Sequence, residues 1–170
     1  MTETYLLLGS NQGDRQLNLG KALDGIEDSV GVITSISSIY ETAAWGLESQ
    51  PAFLNQAVCV RTSLSAIELL NQLKLIELQI GREPTGRWES RIIDIDILLY
   101  GFEITQSNSL TIPHPYMAQR RFTLTPLNEI AAGFIHPICK KSIRQLLGEC
   151  TDKLQVRLFA GSQRLNTESI

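Results

Sequence analysis

Cysteine is scarce and unpatterned in this chain. Cys59, Cys139 and Cys150 are odd in number and none lies in a CxxC pair, which excludes a disulfide framework and a zinc knuckle and predicts reduced thiols. Positive charge is not in excess: 15 Lys and Arg stand against 18 Asp and Glu, for a net charge of −3. No global field is therefore available to hold nucleic acid or an anionic membrane, and any anion site must be local. The apolar stretches fall far short of the ~20 residues that span a bilayer, and MTETYLLLG has no basic segment ahead of its short apolar run, so a cytoplasmic protein is expected. The phosphate loop GxxxxGK[ST] is missing, as are GxGxxG, GxSxG, HExxH and the protein-kinase catalytic loop. Gly20-Lys21-Ala22 has the wrong spacing and lacks the hydroxyl that would hold Mg²⁺.

What remains is an ordinary folding composition. The 170 residues are 43% hydrophobic and 19% charged, enough for one core and far from the disordered corner of composition space. One domain over residues 1–160 is expected, with a loose polar tail at 161–170. Tyr5 to Leu8 reads as a buried strand closed by Gly9-Ser10-Asn11, and Leu19, Ala22, Leu23 and Ile26 draw one apolar stripe on a helix over about 14–29. Residues 32–42 and 53–62 read as strands. Ser65 and Glu68 form a capping box for a second helix closed by Gly81, and residues 91–100 alternate as another strand. The order β-α-β-β-α-β predicts an α+β, ferredoxin-like sandwich with an antiparallel sheet. Beyond it come a short extended piece at 110–112, a short helix starting at Thr125-Pro126, a helix capped by Ser142 and Gln145, and an edge strand over 154–159.

The chemistry concentrates in the second half. In the 91–100 strand, alternation puts Ile93, Ile95, Ile97 and Leu99 on one face and Asp94 and Asp96 on the other, about 7 Å apart at Cα. Two anions that close call for a cation, and Mg²⁺ commonly takes one or two carboxylates and completes its shell with water and phosphate. Half of the ten arginines fall between 82 and 121, namely Arg82, Arg87, Arg91, Arg120 and Arg121, and the guanidinium fork suits phosphate oxygens. Trp88 sits among them with no apolar pattern to bury it, which favours stacking. Phe53 and Asn55 share a strand face, an aromatic and an amide suited to a flat heterocycle. The bland readings of these features are a solvated strand face, an exposed basic loop and ordinary strand residues. His114 between two prolines, His136 before Pro137 and the strand residue Cys59 read as structural.

The combination resembles the 6-hydroxymethyl-7,8-dihydropterin pyrophosphokinase family. The resemblance runs through Leu7-Gly9-Ser10-Asn11, Tyr40-Glu41-Thr42, Gln50-Pro51-Ala52-Phe53-Leu54-Asn55 and Glu77-Leu78-Gln79-Ile80-Gly81-Arg82. It continues through Arg91-Ile92-Ile93-Asp94-Ile95-Asp96, Pro113-His114-Pro115, Arg120-Arg121-Phe122 and Pro126-Leu127-Asn128-Glu129-Ile130-Ala131. It implies transfer of the β,γ-diphosphate of ATP to the hydroxymethyl group of a reduced pterin, leaving AMP, with two Mg²⁺ ions, in a monomer that needs no nucleic acid or membrane. It further implies Asp94 and Asp96 as metal ligands, and Arg82 and Arg91 as catalytic phosphate clamps. Glu77, Arg87, Ile97, Thr111, His114 and Arg120 would join the two arginines around ATP. Thr42, Ala44, Trp45, Phe53, Asn55, Trp88, Asp94 and Phe122 would face the pterin. The chain departs from the common pattern at Glu83-Pro84-Thr85, where a basic residue is frequent, and at Ala43 and Ala44, where prolines are frequent.

Rival readings make different demands. An RNA-binding sandwich should show an aromatic-rich strand and a basic face, and neither is visible. A catalytically inactive pterin or nucleotide sensor would bind both ligands without making AMP. A phosphohydrolase built on the same Asp pair would release phosphate with no pterin present.

Overall fold

The computed structural model describes residues 1–43, 50–84 and 89–160. Its central feature is an antiparallel sheet built from β1 (Thr2–Ser10), β2 (Gly31–Ile36), β3 (Tyr40–Thr42), β4 (Phe53–Thr62), β5 (Asp94–Tyr100) and β8 (Val156–Leu158). The strand order is β5-β1-β4-β3-β8, with β2 also paired to β4. A separate ribbon joins β6 (Thr105–Gln106) to β7 (Thr111–Ile112). Helices α1 (Arg15–Ser29) and α2 (Ala66–Ile80) cover one face of the main sheet, and α3 (Arg121–Ala131) and α4 (Ile143–Glu149) cover the other.

Two apolar clusters follow from that layering. On the α1/α2 face, Leu6, Leu8, Leu54, Val58, Ile95 and Ile97 meet Leu19, Ala22, Ile26, Leu69, Leu73 and Ile76. On the α3/α4 face, Tyr5, Leu7, Ala57, Cys59, Leu98 and Leu99 meet Leu124, Leu127, Ile143 and Leu146. Because both faces of β1 and β4 are covered, their burial is nearly continuous, as expected for strands inside a three-layer domain. Among the described residues, no helix is long and apolar enough to cross a membrane.

Local chemistry explains the elements that matched expectation. Asp14 caps α1 by accepting from the Leu17 N–H. Ser65 and Glu68 form a reciprocal capping box on α2, Ser142 and Gln145 do the same on α4, and Gly81 ends α2 in the left-handed conformation with φ of 116°.

Several expectations are corrected. The single strand over 32–42 is broken into β2 and β3, because Ser38 gives its N–H and hydroxyl to the Glu129 carboxylate on α3 rather than to the sheet. The 91–100 strand begins only at Asp94, since the Arg91 N–H and C=O are both taken by Asn11. Its alternation also slips. The register moves from Leu6↔Ile97 to Tyr5↔Leu99, leaving Leu98 as an extra residue, so Leu99 joins the α3/α4 face instead of following Ile97. The helix expected from Thr125 begins four residues earlier, at Arg121, and carries Pro126 inside it. The 154–159 strand contracts to Val156–Leu158.

Candidate active site

Strand register assembles the site. Gly9 of β1 stands opposite Asp94 of β5 on one side and Asn55 of β4 on the other, while Leu7 stands opposite Asp96 and Ala57. Directly opposed residues in an antiparallel sheet share a face, so Asp94, Asp96 and Asn55 all lie on the α3 side, at the end of the sheet beyond the α3/α4 core. Between Asp94 and Asn55 the floor has no side chain. A Cβ at Gly9 would stand 3.3 Å from Asn55 Oδ1 and 3.8 Å from the Phe53 ring, so glycine keeps an open strip of sheet between a carboxylate and a buried amide. Asn55 is 3% exposed and donates to Thr42 Oγ1 at 3.0 Å, which fixes the orientation of its amide.

At the other edge of the strip, a chain of charges is built behind Asp94. The Glu77 carboxylate, 5% exposed at the end of α2, accepts the Ile95 N–H at 2.7 Å and pairs with Arg82. Arg82 Nη2 lies 3.1 Å from Asp94 Oδ1, and Arg91 Nη1 lies 2.8 Å from Asp94 Oδ2. Burial raises the Glu77 pKa against the opposing pull of the Ile95 N–H and Arg82. The backbone of Arg91 is held in turn by Asn11, whose Oδ1 accepts the Arg91 N–H at 2.7 Å while its own N–H donates to the Arg91 C=O at 3.1 Å. Asn11 Nδ2 also donates to Pro51 O at 3.3 Å, so one buried amide ties together the chain entering β4, the chain entering β5 and the end of β1.

Asp96 differs from Asp94 in having no hydrogen bond or ion pair among the described residues. It keeps an exposed surface yet is crowded by protein, as on the floor of an open cleft. Crowding first, then the carboxylates of Asp94 and Glu77, push its pKa up from 3.8 to about 7, with Arg91 and Arg120 opposing. An unpaired carboxylate beside a paired one is a donor set suited to a divalent cation that draws its other ligands from phosphate and water. No cluster of three or more acidic, His or Cys ligands exists among the described residues, so a cation that needs an all-protein cage is not served.

Arg120 faces Asp96 from the start of α3, with its guanidinium 4.9 Å from the Tyr116 ring and 5.7 Å from the Phe122 ring. His114 is neutral beside it, its pKa pushed down to about 4 by burial and by Arg120. The His114 N–H donates to Leu98 O, and Nδ1 accepts the Tyr116 N–H at 3.3 Å. Thr111 lies in β7, which packs on β5.

The structure thus brings Arg82, Arg91, Asp94, Asp96, His114, Arg120, Phe122, Thr42, Phe53 and Asn55 to one face of the sheet. The Ile97 side chain lies in the core on the opposite face. Glu77 stands behind Arg82 with both oxygens engaged inside the protein. Ala44, Trp45, Arg87 and Trp88 lie outside the described residues. Arg121, grouped by sequence with the phosphate-suited arginines, instead donates to the carbonyls of Cys150 and Asp152. His136 and Cys59 are buried structural groups as expected: His136 Nδ1 accepts two backbone N–H bonds, and burial raises the Cys59 thiol. A cavity of about 500 Å³ lies beside α1, lined by Asn11, Arg15, Glu41, Pro51 and Ser90, and neither Asp94 nor Asp96 lines it. Charge arrangement, not cavity size, locates the chemistry. Sequence reasoning gave no role to Gly9 and Asn11 of the Leu7-Gly9-Ser10-Asn11 motif. A glycine near the end of an apolar strand was the available signal.

Comparison with known proteins identifies the family. Residues 5–132 match the family model of 7,8-dihydro-6-hydroxymethylpterin-pyrophosphokinase (HPPK). The chain is 42% identical to the 2-amino-4-hydroxy-6-hydroxymethyldihydropteridine pyrophosphokinase of Aquifex aeolicus over 153 residues, covering 90% of this chain and 95% of that one. It is 40% identical to the enzyme of the same name from Bacillus subtilis, covering 91% and 89%. Its fold matches a crystal structure of Plasmodium falciparum HPPK-DHPS with a TM-score of 0.70 at 20% identity, over 87% of this chain and 43% of that longer one. The chain belongs to the 7,8-dihydro-6-hydroxymethylpterin-pyrophosphokinase family.

Proposed function

We propose that this pyrophosphokinase, which transfers diphosphate from ATP to hydroxymethyldihydropterin in folate biosynthesis, works on the sheet face between Asp94 and Asn55. The pterin lies over the Gly9 strip. Its edge is read by Asn55 and Thr42, and its ring is held by Phe53 and Phe122; Ala44, Trp45 and Trp88, outside the described residues, are assigned to the pterin from the sequence alone. ATP lies toward β5 and β7, its phosphates against Arg82 and Arg91 and its nucleoside toward the Ile97 backbone, Thr111, His114 and Arg120, with Glu77 holding Arg82 in place; Arg87, outside the described residues, is assigned to the phosphates from the sequence alone. The observation that carries this reading is the pair Asp94 and Asp96 beside two arginines, one carboxylate paired and the other open.

Asp94 and Asp96 would hold two Mg²⁺ ions, which when bound supply charge neutralisation to the polyphosphate. The chain's own groups do the rest. The pterin hydroxyl oxygen forms a bond to the β-phosphorus, the bond from that phosphorus to the bridging α-phosphate oxygen breaks with its electron pair going to the departing AMP, and the hydroxyl proton passes to water. Each guanidinium has five N–H donors; Arg82 directs two toward Glu77 and Asp94, and Arg91 directs one at Asp94, so donors remain for phosphate oxygens. Positioning and fixed charge supply most of the rate in such transfers. The strand order and the two helix layers support a ferredoxin-like sandwich with two added C-terminal helices; one domain of residues 1–160, working as a monomer in the cytoplasm, is part of the same proposal.

The test is nucleotide product analysis with ATP, Mg²⁺ and 6-hydroxymethyl-7,8-dihydropterin. AMP formed only when pterin and metal are both present is the expected result. ADP, or phosphate release without pterin, refutes diphosphate transfer, and pterin binding without product identifies an inactive sensor. Asp96→Ala and Arg91→Ala should abolish turnover with the fold intact.

A further inference from the structure

The match to the family model ends at residue 132, yet the chain beyond it is bonded to both walls of the site. Helix α3 carries Phe122 and Arg120 at its start, but its own sequence gives it no side-chain cap and no acidic residue in its first turn. Asp152 supplies the missing acceptor from 31 residues away: its Oδ2 takes the Arg121 N–H at 3.0 Å, while Oδ1 takes the Leu154 N–H at 2.9 Å and holds its own loop in shape. The contact is returned by Arg121, whose Nε donates to Asp152 O and whose Nη2 donates to Cys150 O, both at 2.9 Å. Four residues on, β8 pairs with β3, placing Val156 opposite Thr42, and the Phe159 N–H donates to Ile39 O. The segment 150–159 therefore runs from the first turn of α3 to the strand that bears Thr42.

We propose that Asp152 is a positioning residue: it is the remote N-cap of α3, and through it the C-terminal segment sets the gap between Phe122 on the helix and Thr42 and Asn55 on the sheet. An anionic acceptor at a helix start satisfies an orphan N–H and complements the helix dipole. Here the turn it secures is the one that presents Arg120 and Phe122. The inference rests on the placement of Phe122 against the pterin proposed above.

Steady-state kinetics of the full chain, with KM for the pterin and kcat measured separately, tests it. Asp152→Ala should raise the pterin KM about five- to tenfold with a smaller effect on kcat, and Asp152→Asn, which keeps one acceptor, should fall between it and wild type. Ser142→Ala removes the cap of α4, which bears none of the proposed substrate contacts, and should lower the melting temperature while leaving KM unchanged. A pterin KM within twofold of wild type in both Asp152 variants overturns the proposal, as does an equal rise in Ser142→Ala; should Asp152→Ala not fold, Asp152→Asn alone decides. Phe122→Ala separates the two possible failures. If it leaves the pterin KM unmoved, the site assignment falls and this inference with it; if it raises KM while the Asp152 variants do not, only the brace falls.

Discussion

Asp96→Asn should make the metal-free protein more stable while removing its activity. The Asp96 carboxylate meets two like charges, Asp94 and Glu77, and only partial compensation from Arg91 and Arg120. Its pKa in the folded chain, about 7, lies above the ordinary 3.8, so the folded state binds the proton more tightly than the unfolded state. The charge therefore costs stability, beginning above the unfolded value and reaching its full size as pH rises past about 7. A rise of roughly three on the pH scale corresponds to about 4 kcal/mol for an enclosed group. Because Asp96 is solvent-exposed, screening reduces this to about 1–2 kcal/mol.

Asparagine keeps the shape and removes the charge. In a chain of 170 residues, 1 kcal/mol moves the melting temperature by roughly 2–4 °C. The variant should melt about 3–6 °C above wild type at pH 8 in chelator, by less at pH 5, and with almost no difference near pH 4. AMP formation should fall at least about a hundredfold. Thermal denaturation across pH 4–8 at low salt is the assay. A variant less stable than wild type at pH 8, or a gain that does not change with pH, refutes the like-charge argument.

Three further outcomes follow from the geometry. Gly9→Ala places a Cβ 3.3 Å from Asn55 Oδ1, so the pterin KM should rise about fivefold with little change in melting temperature; an unchanged KM would show that the strip carries no ligand. Glu77→Gln keeps an acceptor for the Ile95 N–H and removes a charge that burial disfavours, so its stability in urea should stay within about 1 kcal/mol of wild type. Glu77→Ala orphans that N–H and should cost about 2–4 kcal/mol, and the reverse order would contradict the hydrogen-bond assignment. Burial lowers the His136 pKa below its unfolded 6.5, and its Nδ1 accepts the Ile138 and Cys139 N–H groups. Its stabilising neutral form is therefore fully present above 6.5 and is lost as pH falls below it. The drop in melting temperature from pH 7 to pH 5 should be smaller in His136→Gln than in wild type, and equal drops would remove His136 from the acid response.

The legible parts of the fold were those whose signals lie within a few residues. The capping boxes at Ser65 and Ser142 and the left-handed stop at Gly81 need no partner elsewhere, so sequence alone located both helices. The start of α3 was misplaced because its cap is Asp152, 31 residues away, and the break between β2 and β3 was missed because Ser38 is bonded by Glu129, 91 residues away. The slip at Leu98 is a pairing property of β5 with β1, invisible in the alternation of β5 alone. The site shows the same division. Asp94 and Asp96 stand out by spacing, whereas density of arginine misled at Arg121, whose guanidinium is occupied by two carbonyls.

What marks the site physically is a concentration of locally unfavourable choices. Glycine lacks a side chain to pack in a strand, yet Gly9 sits between Asp94 and Asn55. Asn55 and Glu77 are buried polar groups, and Asp96 is a carboxylate held among carboxylates. Each carries a cost that apolar or neutral residues would avoid. They lie on adjoining stretches of β1, β4 and β5 and at the end of α2, and the two covered clusters below them supply the burial that offsets those costs. A local violation of folding rules that is isolated reads as tolerance; several converging on one open strip, with complementary charge and no side chain between them, are what the proposed site rests on. Helix α3 is already tied to the sheet side through Glu129 and Ser38, and residues 150–159, bonded to its first turn and to β3, are on the proposal above a second brace across the site.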